Sequence, residues 1–307
     1  MLNENRLSGV IVAALTPLKQ DFTLALDDLL PFLDFLARRG NHGALLFGTT
    51  GEGPSFAPSE RLELLQVASH VRQDHPNFKL LAGTGTPSLQ ETIELTRAAF
   101  DLGYDGVVVL PPYYYRKASE DGLFTWFSQV LRQAVPAGGA LLGYHIPSVT
   151  GVPLTIDLLA RLKDAFPDRF AGLKDSSSDA EYARRLGARF GNDLLVFSGN
   201  DALFSLALEN SASGCITAMA NLRSPDLRLV WDAHLDGKTH PQAHARLVSA
   251  RGLMDRYAPF PPLYKALLPK LHGFPTWSLR PPLMALPEDV SGRALQEAMA
   301  EVEGFAD

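Results

Sequence analysis

The 307-residue chain holds 46% hydrophobic and 20% charged residues and carries a formal net charge of −6. This is the composition of a folded globular protein; with no low-complexity stretch, basic run or basic amphipathic helix, it excludes a disordered chain and a nucleic-acid partner. A single cysteine, Cys215, excludes an intrachain disulfide and a cysteine-based metal cage, and reads as a small buried hydrophobe.

Residues 1–9 carry charges and no apolar core of signal-peptide length, and no apolar run is long enough to span a bilayer, so a cytoplasmic protein without membrane contact is expected. Short apolar runs then recur, separated by longer amphipathic stretches. Strands are predicted over 9–16, 43–49, 78–83, 105–110, 140–146, 170–174, 193–198 and 213–218. Between them, 27–39, 59–72, 89–102 and 154–165 show helical spacing of apolar residues, with Pro58-Ser59, Pro87-Ser88 and Pro153-Leu154 as helix starts.

Near-continuous apolar strands fit burial on both faces of a parallel sheet. Eight strand–helix units close most naturally into an α/β (β/α)₈ TIM barrel, which commonly takes about 250 residues as one unit; a doubly wound open sheet is the alternative. From about residue 224 the pattern turns purely helical, with proline-rich joints at Pro259, Pro261-Pro262 and Pro281-Pro282. The expected organisation is a barrel over 1–223 and a C-terminal helical extension over 224–307, packed on it as one structural unit.

Barrels of this type carry their chemistry at the carboxyl ends of the strands. Lys174 ends an apolar strand there, and desolvating an ammonium group favours the neutral amine that can attack a carbonyl. A lysine paired to a carboxylate inside the barrel is the structural alternative. Lys79, at the start of its strand on the opposite face, is expected to be an ordinary lysine. Tyr144 ends the strand before that of Lys174, so the two can share a cavity, with the phenol either shuttling protons or only filling space. The turn Gly48-Thr49-Thr50-Gly51-Glu52-Gly53 offers N–H groups and hydroxyls to a carboxylate, or is simply a tight turn. His240 and His244 are four apart without a metal-protease context, and no phosphate-binding glycine signature occurs, so neither a metal nor an organic cofactor is expected.

Taken in order, these residues resemble the dihydrodipicolinate synthase and N-acetylneuraminate lyase family of class I Schiff-base aldolases. The series runs Ala14-Leu15-Thr16-Pro17, Gly48-Thr49-Thr50-Gly51-Glu52, Ala82-Gly83-Thr84-Gly85, Pro112-Tyr113-Tyr114, Tyr144-His145-Ile146-Pro147, Gly172-Leu173-Lys174-Asp175, Ser198-Gly199-Asn200-Asp201 and Ala220-Asn221. The resemblance implies that Lys174 forms the Schiff base, that Tyr144 shuttles protons, and that Thr50 and Tyr114 complete a hydroxyl relay. It also implies that Thr49 and Thr50 hold the 2-oxo acid carboxylate, that the Ile216 carbonyl faces the nucleophile, and that Gly199 and Asp201 contact substrate. In the family Tyr114 is supplied by a second subunit, which implies a homo-oligomer, a dimer or tetramer.

Two departures narrow the substrate. Where dihydrodipicolinate synthases carry an arginine for the carboxylate of the aldehyde partner, this chain has Val149, and an isopropyl group does not replace a bidentate guanidinium. Where sialic acid lyases carry a glutamate after Gly-x-Asp, this chain has Ala202. What remains is similar to aldolases acting on 2-keto-3-deoxy sugar acids or 4-hydroxy-2-oxoglutarate, a branch that Tyr113-Tyr114-Tyr115-Arg116 also resembles. The expected function is a lyase joining or splitting pyruvate and an aldehyde. The alternatives are dihydrodipicolinate synthase, a Schiff-base dehydratase of 2-keto-3-deoxy acids, and a non-catalytic barrel that binds an oxo acid. His145 either tunes Tyr144 or fills a polar gap.

Overall fold

The computed structural model describes residues 7–305; residues 1–6, on which most of the N-terminal reading falls, and the last two residues of the expected extension lie outside the described residues. Eight strands, β1 (Gly9–Ala13), β2 (Gly43–Leu46), β3 (Lys79–Gly83), β4 (Gly106–Val109), β5 (Leu141–His145), β6 (Phe170–Asp175), β7 (Leu195–Ser198) and β8 (Gly214–Thr217), form a closed barrel in sequence order. All neighbours are parallel, and β8 returns to pair with β1 through Ile11 and Ile216. The open sheet is thereby excluded.

The helices are α1 (Leu26–Arg38), α2 (Pro58–Ala68), α3 (Leu89–Asp101), α4 (Glu120–Ala134), the single-turn α5 (Pro147–Thr150), α6 (Ile156–Ala165), α7 (Ala180–Phe190), α8 (Phe204–Glu209), α9 (Ala220–Leu235), α10 (Pro241–Arg256), α11 (Phe260–His272) and α12 (Glu288–Glu301). Side-chain caps explain several starts: Ser88, Ser119, Thr155 and Asp179 each accept an N–H from the first turn of the following helix. The predicted helix over 59–72 is α2 followed by a 3₁₀ turn over Ser69–Gln73. α9, which follows β8, packs against β1 and α10. None of the helices among the described residues is long and apolar enough to cross a membrane.

The strands read as unbroken apolar runs because successive side chains enter two different cores. Ile11, Leu45, Leu81, Val108, Leu142, Phe197 and Ile216 fill the barrel interior, while Val10, Val12, Ala44, Leu80, Val107, Val109, Leu141 and Leu173 pack outward beneath the helices. This period of two also sorts the strand-end residues. Tyr144 lies with the interior set, so its neighbour His145 turns to the helices, and Lys174 turns inward beside outward Leu173.

Lys79 corrects one expectation. Its ammonium donates to the Ser8 carbonyl and is partly buried, and desolvation lowers its pKa. The residue before β1 covers this strand start at the barrel floor, so it is no ordinary surface position.

Candidate active site

The carboxyl ends of the strands surround a cavity of about 320 Å³. Lys174 and Tyr144 are direct register partners across β5 and β6, both nearly fully buried. The Lys174 Nζ lies 4.2 Å from the centroid of the Tyr144 ring, a cation–π distance. No carboxylate forms an ion pair with Lys174 among the described residues, in contrast to the buried Lys265, whose Nζ meets Glu52 at 2.5 Å.

The Tyr144 hydroxyl is 3.2 Å from Thr49 Oγ1. Burial pushes the phenol pKa up, but the Lys174 charge and hydrogen bonds to Thr49, Lys174 and Ser176 outweigh it, and the net direction is below the ordinary phenol value. A phenol poised in this way exchanges protons more readily than a free tyrosine. Thr50 is buried and lines the same cavity as Thr49, as do Gly199, Asp201 and Ile216. Asp201 is fully buried, and desolvation raises its carboxyl pKa despite the nearby Arg251. One of its oxygens, Oδ1, has no hydrogen-bond partner.

Of the residues expected to act in catalysis or to contact substrate, Tyr114 alone stands apart from this cavity. Its side chain is 75% exposed and packs edge-on against Tyr115, with ring centroids 5.2 Å apart. Arg116 is also in this exposed loop, and its aliphatic stem lies against Gly151, the left-handed residue that closes α5. Val149, on α5, lines the mouth of the cavity and is 57% exposed.

Among the wall residues that sequence reasoning missed are Ser176, Arg251, Phe260 and Tyr264. Ser176 sits two residues after Lys174 and helps to lower the Tyr144 pKa; a β-carbon on Gly199 would come within 2.0 Å of its Oγ, so the glycine makes room for that hydroxyl. The hydroxyl pattern Lys-Asp-Ser at the end of β6 was the available signal. Arg251, Phe260 and Tyr264 come from α10 and α11 and close the far side of the cavity. Arg251 is held by Asp255 at 2.9 Å, lies 3.7 Å from Asp201, and stacks over the Phe260 ring.

The sequence profile of the dihydrodipicolinate synthetase family matches residues 6–300. The chain belongs to that family. It is accordingly a lyase of the class I, pyruvate-dependent kind. This lyase is 39% identical over 279 residues, 91% of both chains, to an uncharacterized DapA-like lyase of Chloroflexus aurantiacus. It is 33% identical over 295 residues to a 4-hydroxy-tetrahydrodipicolinate synthase of a Synechococcus species, covering 95% of this chain and 94% of the relative. Among solved structures, the lyase matches YagE, a prophage protein of the dihydrodipicolinic acid synthase family from E. coli K12 in complex with pyruvate, with a TM-score of 0.87. That match is 26% identical and covers 96% of this chain and 97% of the other. A sialic acid aldolase of Ruminococcus gnavus shares the fold at TM-score 0.88 and 20% identity, covering 99% and 100%.

Proposed function

We propose that this lyase is a Schiff-base aldolase that splits or forms the bond between pyruvate and an aldehyde, with a 2-keto-3-deoxy sugar acid or a 4-hydroxy-2-oxo acid as its aldol substrate. The observation that carries this reading is the placement of Lys174: a buried amine without a carboxylate partner among the described residues, facing the Tyr144 ring at 4.2 Å, in a cavity rimmed by hydroxyls. A buried lysine that only filled space would be expected to have a carboxylate, as Lys265 has.

In the cleavage direction the Lys174 amine attacks the C2 carbonyl and water leaves, giving the imine. Thr49 and Thr50 hold the adjacent carboxylate. Tyr144 takes the C4 hydroxyl proton, the C3–C4 bond breaks, and its electrons pass to the protonated imine to give an enamine while the aldehyde departs. Protonation at C3 and hydrolysis of the imine then free pyruvate and the amine. The Ile216 carbonyl faces the nucleophile, Gly199 and Asp201 receive the hydroxylated end of the substrate, and Tyr114 completes the proton relay from a second copy of the chain. The exposed position of Tyr114 suits delivery across a subunit interface.

Val149 and Ala202 turn the reading away from dihydrodipicolinate and sialic acid, since each puts an apolar side chain where those substrates need a charged contact. Incubation with pyruvate and borohydride, followed by intact mass, tests the core of the proposal: a single reduced pyruvate adduct is expected, lost in Lys174→Ala. Absence of the adduct in the unmodified protein would sink the Schiff-base reading. A pyruvate-release assay across 2-keto-3-deoxy acids then identifies the aldehyde.

A further inference from the structure

The turn carrying Thr49 and Thr50 belongs to no regular element, yet it must keep its shape to grip a carboxylate. Its chain reverses through Glu52, a non-glycine residue at φ 56°, and such left-handed residues persist only where their surroundings over-determine them. Two contacts come from the barrel itself: the Thr16 hydroxyl donates to the Gly51 carbonyl at 2.7 Å, and Arg61 Nη2 donates to the Gly53 carbonyl at 2.5 Å. The third comes from the far end of the chain. One Glu52 carboxylate oxygen accepts from Lys265 Nζ at 2.5 Å, and the other accepts the Arg280 backbone N–H at 3.0 Å. Lys265 also donates to the Ser278 carbonyl at 2.7 Å. The two charged side chains are 0% and 2% exposed.

Stability alone does not call for this arrangement, because an apolar pair of similar volume generally serves a core as well as a buried ion pair does. What the charged pair adds is direction: two donors from the segment around α11 fix both oxygens of a residue two positions after Thr50. Tyr264, the residue before Lys265, lines the cavity. Neighbouring residues of one helix therefore supply the far wall and anchor the near one.

We propose that Lys265 and Glu52 are positioning residues, through which helix α11 holds the Thr49-Thr50 turn in the shape that binds the carboxylate of a 2-oxo acid. The proposal rests on the Schiff-base reading of the cavity. Neither residue touches substrate; the effect of losing them is on the affinity of the cradle and not on the chemistry of Lys174.

The test uses the full chain, with inorganic borohydride and pyruvate as probes. The double variant Glu52→Gln/Lys265→Met removes both charges together and keeps an acceptor for the Arg280 N–H. The pyruvate concentration giving half-maximal trapping should rise about tenfold, while the trapping rate at saturating pyruvate stays within about threefold of the unmodified protein. Lys265→Arg, which retains a donor cation, should recover most of the affinity. A folded double variant with unchanged half-saturation overturns the positioning role. Should the double variant fail to fold, Glu52→Asp, which keeps the charge and shortens its reach, is read the same way: raised half-saturation supports the role and an unchanged value overturns it. The underlying reading is separable. No adduct in the unmodified protein overturns both proposals, whereas normal trapping there with indifferent variants overturns this one alone.

Discussion

The imidazole of His145 is stacked on the Tyr182 ring, 4.5 Å between centroids and 24° between planes, on the outer face of the strand whose inner face carries Tyr144. His145 Nδ1 accepts the Leu154 N–H at 3.0 Å, and the Tyr182 hydroxyl donates to the Leu154 carbonyl at 2.6 Å. The ring therefore ties β5 to the start of α6 and leaves Tyr144 to Lys174, Thr49 and Ser176. Of the two roles open to His145 in the sequence, the structure supports the filler of a polar gap.

That placement gives an acid-stability prediction. Burial lowers the pKa of His145 to about 4, against a slight opposing pull from Asp179. Burial likewise lowers His42 and His272 to about 4, reinforced by neighbouring cations. The unfolded chain takes up these protons near pH 6.5, so between about 6.5 and 4 it binds more protons than the folded chain. The contribution of these neutral rings is fully present above pH 6.5 and is lost as pH falls toward 4. The melting temperature should drop across that window. His145→Gln should lower it at neutral pH through loss of the stack, yet make the acid slope shallower, since one of the histidines held neutral by burial is gone. A slope unchanged by His145→Gln would show that this ring stays protonated on folding.

Lys174→Met tests the nucleophile without leaving a hole. Replacing a buried amine by an apolar chain of similar length is neutral or stabilising where no partner charge is stranded, and none is paired with Lys174 among the described residues. The variant should melt within a few degrees of the parent, lose the pyruvate adduct, and lose turnover entirely. Measurable turnover at a tenth of the parent rate would mean that another group carries the reaction.

Tyr144→Phe separates adduct formation from bond cleavage. The ring that faces Lys174 stays, and only the hydroxyl bonded to Thr49 goes. The pyruvate adduct should still form, while kcat on the aldol substrate falls by about 10²- to 10⁴-fold, the range for loss of a general acid–base. Equal losses in trapping and turnover would instead make the phenol part of imine formation.

Much of this was legible in the sequence, and the reasons are physical. Each strand of a barrel is buried on both faces, so eight apolar runs identified eight strands. Strand ends point into one mouth, so Lys174, Tyr144 and Thr49 could be placed together before any coordinates. The alternation that separates Tyr144 from His145 was also readable, since neighbours on a strand face opposite ways. The wall built by Arg251, Phe260 and Tyr264 was not legible, because helical periodicity gives the buried face of an appended helix but not which part of the barrel it covers. The Glu52–Lys265 pair was hidden for the same reason: its partners lie 213 residues apart, and nothing local to either residue signals the other. Tyr114 illustrates a different limit, since its predicted role depends on a second copy of the chain.

The last prediction concerns Val149. It sits on the single turn of α5 at the cavity mouth, 57% exposed, in the place where dihydrodipicolinate synthases carry an arginine for the carboxylate of aspartate semialdehyde. A bidentate guanidinium–carboxylate contact in a partly desolvated site contributes on the order of 2 to 3 kcal/mol, which corresponds to roughly thirty- to 150-fold in selectivity. The unmodified protein should therefore form the pyruvate adduct readily, yet condense pyruvate with aspartate semialdehyde at a small fraction of its rate on its own aldol substrate. Val149→Arg should raise that condensation about tenfold, short of the full contact because the turn was not shaped around a guanidinium. The variant should leave pyruvate trapping unchanged, since Lys174 and Thr50 are buried while Val149 sits at the exposed mouth. Efficient dihydrodipicolinate formation by the unmodified protein would overturn the substrate assignment. The cation to test next would then be Arg116, whose stem packs on Gly151 two residues beyond Val149, with Arg251 on the opposite wall as the second choice; Arg116→Ala and Arg251→Ala, assayed on aspartate semialdehyde, would tell them apart.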